Sequence, residues 1–148
     1  MILVTVGRGA GARLIKALRR DMQMKAIAVV DDDEVVRTAT SHLLRSFGYT
    51  ARAFASAEAF LNAGVADTLC LISDVRMPGM SGVELQARLV RDACKFPIIF
   101  VTAFCDESTR ARTLAAGAHS YLTKPYDAER LMHCVEAALQ KPLKRASS

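Results

Sequence analysis

The sequence predicts an α/β fold: a five-stranded parallel sheet wound on both faces by helices into a three-layer sandwich, with strand order 2-1-3-4-5. Three observations predict it. From residue 26 onward, short apolar runs alternate with longer amphipathic stretches, giving five strand–helix units in about 115 of the 148 residues. The runs are almost continuously apolar, as burial on both faces of a parallel sheet requires. The chain is also long enough, and at 51% apolar rich enough, to bury a core without disulfides or a metal staple.

The elements follow in order. Residues 26–30 form an apolar run that ends in Asp31, Asp32 and Asp33. Val35, Val36, Ala39, Leu43, Leu44 and Phe47 have helical spacing, and Gly48 stops that helix. Residues 50–55 read as a weaker strand and 56–63 as a short helix ending near Gly64. The next buried run, 68–73, leads into Asp74 and a Pro/Gly loop through Met80. Ser81-Gly82-Val83-Glu84 is a capping box that opens a helix to about Asp92. Residues 97–101 form a fourth strand, 106–116 a helix closed by Gly117, and 119–122 a fifth strand. Asp127 caps a last helix that runs to about Gln140, and residues 141–148 read as a polar, frayed tail.

In such a sheet, ligands bind beyond the carboxyl ends of the strands, where the strand order reverses. The ends carry matching chemistry: Asp31, Asp32 and Asp33 after the first strand, Asp74 after the third, Thr102 after the fourth, and Lys124 with Pro125 after the fifth. Clustered carboxylates repel one another unless a cation joins them. An oxygen-only donor set with few protein ligands suits Mg²⁺, which shares its shell with water and phosphoryl groups. One carboxylate is then placed to act as a nucleophile toward phosphorus. Lys124 and Thr102 would meet the equatorial oxygens. Asp33 alone is adequately explained as a helix cap.

Residues 26–140 resemble the receiver domain of two-component response regulators, a flavodoxin-like fold, and in particular its FixJ-like branch. The stretches that carry the resemblance are Val29-Val30-Asp31-Asp32-Asp33-Glu34, then Asp74-Val75-Arg76-Met77-Pro78-Gly79-Met80-Ser81-Gly82. Ile99-Phe100-Val101-Thr102-Ala103, Ala116-Gly117-Ala118 and Lys124-Pro125-Tyr126 complete them. The resemblance implies Asp74 as phosphoacceptor from a histidine kinase or phosphotransfer protein. It implies a Mg²⁺ site of the acidic pair Asp31 and Asp32, Asp74 and the Arg76 carbonyl, with Asp32 and Asp74 as its direct carboxylate ligands. Thr102 and Lys124 would contact the phosphoryl group, Lys124–Pro125 would be cis, and Tyr121 would be the switch aromatic. Phosphorylation would draw Thr102 toward the phosphoryl group and let Tyr121 turn inward. That remodels the surface of the fourth helix, fifth strand and fifth helix for partner binding or homodimerisation. The chain is then expected to catalyse only its own phosphorylation and dephosphorylation, in the cytoplasm, without binding membrane or, through the receiver, nucleic acid. It is expected to be a stand-alone receiver or the receiver part of a transcriptional regulator.

Three positions depart from the family pattern. Ser73 stands where an aliphatic residue is more usual, Tyr126 replaces the commoner Phe, and Cys105 follows Thr102 in the loop. Cys70, Cys94, Cys105 and Cys134 form no C-x-x-C pair and read as reduced thiols. His42, His119 and His133 are isolated and read as packing or surface residues.

The net charge of +5 suggests nucleic acid until it is divided along the chain. Residues 1–24 carry five basic side chains against Asp21, the last eight residues carry three, and the body 25–140 sums to −2. The amino-terminal segment offers a rival reading. Residues 2–6 resemble a strand, Gly7-Arg8-Gly9-Ala10-Gly11 is glycine-rich, and Asp31 follows Gly11 by 20 residues, mimicking a dinucleotide-binding βαβ unit. The spacing is G-x-G-x-G rather than G-x-G-x-x-G, and the rival leaves Asp74, Thr102 and Lys124 unexplained. Residues 1–24 are therefore expected to be an extension outside the domain, or a short amphipathic helix with Leu14, Ile15, Leu18 and Met22 in one stripe.

Overall fold

The computed structural model describes residues 11–15, 25–104 and 106–146, the last six of these by backbone alone. Its elements are β1 (Ala26–Val30), α1 (Glu34–Ser46), β2 (Ala51–Phe54), α2 (Ala57–Ala63), β3 (Thr68–Asp74), α3 (Gly82–Arg91), β4 (Ile98–Thr102), α4 (Glu107–Ala115), β5 (Ser120–Thr123) and α5 (Ala128–Ala146). All strand pairs are parallel, in the order β2-β1-β3-β4-β5.

Each strand feeds two cores, because successive side chains point to opposite faces. Ile27 and Val29 of β1 join Ile72, Ile99, Val101 and Leu122 under Leu44 of α1 and Leu131 and Val135 of α5. Ala28 and Val30 join Leu71, Ile98 and Phe100 under Phe60 of α2 and Leu85 and Leu89 of α3. This alternation explains why the inner strands β1, β3 and β4 are almost continuously apolar.

The helix starts follow their caps. Asp33 accepts from the Val35 and Val36 amides, Ser56 from Ala59 and Asp106 from Ser108. At α3 the Ser81 and Glu84 side chains cap reciprocally, as their spacing predicts. Most boundaries fall within a residue or so of expectation, and the largest difference is that α5 continues to Ala146, six residues past Gln140. The apolar periodicity ends at Gln140 and Pro142 lacks an amide for the helical ladder, but Lys141, Leu143, Lys144, Arg145 and Ala146 are good helix formers. The segment read as a frayed tail is thus helical through residue 146.

Residues 11–15 are helical, with Leu14 and Ile15 exposed. The rest of the proposed stripe, Leu18 and Met22, lies outside the described residues, as do residues 2–6 and Cys105. β1 is hydrogen-bonded on one edge by β2 and on the other by β3. No edge of β1 remains for the parallel neighbour that a dinucleotide-binding reading requires.

Candidate functional site

The carboxyl ends of β1, β3, β4 and β5 meet on one rim of the sheet. Asp31 leaves β1, Asp74 ends β3, Thr102 ends β4, and Lys124 follows β5, where its amide donates to the Thr102 carbonyl at 2.7 Å. Carboxylate oxygens of Asp31, Asp32 and Asp74 lie within 4.8 Å of one another. Asp31 and Asp74 are buried, whereas Asp32 faces solvent. The Lys124 ammonium bridges the buried pair, 3.0 Å from Asp31 Oδ2 and 3.4 Å from Asp74 Oδ2.

Each member is oriented by its neighbours. Asp74 Oδ1 accepts from the amides of Val75 (2.7 Å) and Arg76 (3.3 Å). Asp31 Oδ1 accepts from the Asp33 amide, and Arg37 of α1 donates to the Asp31 carbonyl at 2.7 Å. Gly82, at the start of α3, packs so closely that a Cβ there would overlap the Asp74 carbonyl oxygen. Ser73, fully buried, donates its hydroxyl to that same carbonyl at 2.8 Å. Its departure from an aliphatic residue therefore leaves no polar group unsatisfied.

Burial holds the Asp74 carboxyl above its usual range; the Lys124 charge opposes that shift, and the Asp31 charge adds to it. For Lys124, burial alone would depress the ammonium. The hydrogen bond to Asp31, with the charges of Asp74 and Asp31, outweighs burial and raises it. Among the described residues, three clustered carboxylates thus face one ammonium, which bridges two of them, so the donor set lacks positive charge. That deficit, together with hard oxygen donors only, fits a small divalent cation such as Mg²⁺.

The remaining predicted residues lie around this cluster. Thr102 is buried, and its hydroxyl is turned into its own loop, accepting from the Phe104 amide at 3.2 Å and donating to the Phe104 carbonyl. The Lys124–Pro125 peptide is cis. Tyr121 departs from the expectation: it lies inward, 8% exposed with its ring centroid 6.4 Å from that of Phe100, while Thr102 is still held by its own loop, so the inward position does not require Thr102 to leave first. The Tyr126 hydroxyl, the group that phenylalanine would lack, lies 3.4 Å from Thr40 Oγ1 of α1. Asp33 serves as the cap of α1, the simpler of its two readings.

Two side-chain contacts beside the site carried no sequence signal. Arg37 braces Asp31 through the main chain, and the Arg76 guanidinium stacks 4.9 Å from the ring centroid of the exposed Phe104. Both contacts depend on loop conformation, not on spacing along one element. Among the described residues, no helix is long and apolar enough to cross a membrane.

Comparison with known proteins agrees with this geometry. Residues 27–136 match the response regulator receiver domain family. The chain is 41% identical over 119 residues to the response regulator protein TmoT of Ectopseudomonas mendocina, covering 80% of this chain and 54% of that one. It is 36% identical over 123 residues to the transcriptional regulatory protein FixJ of Bradyrhizobium diazoefficiens, covering 82% and 60%. The chain therefore spans little more than half the length of these relatives. The crystal structure of FixJ-N superposes with a TM-score of 0.72 at 32% identity, over 79% of this chain and 94% of that one. The chain belongs to the response regulator receiver domain family of two-component systems, in its FixJ-like branch.

Proposed function

We propose that this receiver accepts a phosphoryl group on Asp74 from a histidine kinase or phosphotransfer protein, in a Mg²⁺-dependent reaction, and that phosphorylation switches the α4-β5-α5 face. The observation that carries the reading is the cluster itself: three carboxylates within 4.8 Å, two of them joined by the Lys124 ammonium.

Asp31, Asp32, Asp74 and the Arg76 carbonyl would hold the cation. When bound, Mg²⁺ supplies positive charge against the phosphoryl oxygens. An Asp74 carboxylate oxygen attacks phosphorus; the new O–P bond forms as the P–N bond to the donor imidazole breaks, and that nitrogen keeps the electron pair. The Val75 and Arg76 amides fix the carboxylate for in-line approach. Lys124 moves from bridging two carboxylates to facing the new phosphoryl charge. Thr102 exchanges its Phe104 partners for a phosphoryl oxygen. Hydrolysis follows when water attacks the same phosphorus and returns the Asp74 carboxylate. No separate substrate is turned over, so the chain acts as a switch in the cytoplasm, either by contacts of the receiver alone or as the input part of a longer regulator.

Incubation with acetyl phosphate and Mg²⁺ tests this. A hydroxylamine-sensitive, +80 Da adduct is expected on Asp74 and is absent from Asp74→Asn. Equal labelling of wild type and Asp74→Asn overturns the reading.

A further inference from the structure

The loop between β3 and α3 is held from a distance. Glu58, in the first turn of α2, accepts a hydrogen bond from the Met80 amide at 2.8 Å, although 22 residues separate them. Gly79 beside it has φ +76°, and a Cβ there would lie 2.7 Å from Glu58 Oε2. Glycine at 79 thus serves the backbone conformation and leaves room for the carboxylate. The other end of the loop is tied to Asp74 by the Val75 and Arg76 amides, and Gly82 N donates to the Val75 carbonyl at 2.8 Å. Between those anchors lies Arg76, whose carbonyl the proposed metal shell uses.

We propose that Glu58 is a positioning residue for the cation site: its grip on Met80 holds the loop so that the Arg76 carbonyl stays aligned with the three carboxylates. This inference rests on the receiver reading above. Glu58 touches neither metal nor phosphoryl group; it removes the freedom of a loop that would otherwise have to be ordered at each binding event.

Two explanations for any effect of Glu58 must be separated. A carboxylate near a cation site also acts through its field, which glutamine abolishes, whereas glutamine keeps a carbonyl oxygen able to accept from Met80.

Isothermal titration of the full chain with MgCl₂, without phosphodonor, distinguishes them. Glu58→Ala is expected to weaken Mg²⁺ binding ~5-fold, the loss of one charge-assisted bond, with Glu58→Gln within about twofold of wild type. Gly79→Ala, which pushes the carboxylate aside, should weaken binding in wild type but add less in the Glu58→Ala background. Glu58→Gln as weak as Glu58→Ala, or fully independent effects of Gly79→Ala and Glu58→Ala, overturns the proposal. Asp74→Asn is the control: if it binds Mg²⁺ as wild type does, the site reading fails. If it weakens while Glu58→Ala does not, only the role of Glu58 fails.

Discussion

Lys124→Met removes the ammonium that joins Asp31 and Asp74. At an effective dielectric of about 20, contacts of 3.0 and 3.4 Å correspond to gross attractions of about 5.5 and 4.9 kcal/mol. Most of that offsets the cost of taking three charges from water. Removing one partner of a buried pair leaves a net loss of about 3–5 kcal/mol. The Lys124 side chain is still 18% exposed, which puts the expectation at the low end, about 3 kcal/mol at pH 7. For a domain of this size that lowers Tm by ~12 °C, read by circular dichroism in EDTA. The sign with pH is fixed. Without lysine the ionised carboxylates lack compensation, and protonation relieves them, so the deficit must shrink as pH falls from 7 toward 4. In wild type the raised Lys124 pKa makes its contribution fully present below 10.5 and lost as pH climbs through the folded-state value. A deficit below about 0.5 kcal/mol at pH 7, or one that grows toward acid, refutes this reasoning.

Gly82→Ala forces a methyl into the Asp74 carbonyl and to 3.1 Å from Phe100 Cε1, so a loss of about 3 kcal/mol in urea titration is expected, with weakened Mg²⁺ binding. Because burial raises the Asp74 pKa, Mg²⁺ affinity should begin to fall while pH is still above 3.8, and Asp74→Asn should flatten that dependence in titration calorimetry. Cys70 is buried, with its thiol pushed up to about 12. Ellman's reagent should therefore modify the partly exposed Cys94 and Cys134 in the native state and reach Cys70 only in denaturant.

Much of the fold was legible because its determinants are local. The β1 and β4 runs could be read as doubly buried since every residue before Asp31 and Thr102 is apolar, and Ser81 with Glu84 announces a helix start within four positions. The site was legible because strand ends converge by topology once the strands are placed; Asp31, Asp74 and Lys124 required no knowledge of side-chain conformation. What escaped depends on loops. Glu58 finds Met80 across 22 residues, and Arg76 finds Phe104 through the path of two loops. Neither pairing has a period or spacing to betray it. The far end of α5 escaped for another reason: past Gln140 the helix continues without the apolar stripe that reveals a helix.

The Thr102 hydroxyl begins with partners of its own. In the proposed reaction its move to a phosphoryl oxygen would therefore be a trade, not a gain. A charge-assisted bond replaces neutral ones, leaving a surplus of roughly 1 kcal/mol, about a fivefold bias. Inverting a 1:99 equilibrium takes about 5.5 kcal/mol. In the proposed switch Thr102 would thus be a relay that reports phosphorylation, and most of the driving force would have to come from charge, where Lys124 would leave one carboxylate pair for a richer anion. A substitution at 102 should then blunt transmission of the signal more than it blunts capture of the phosphoryl group.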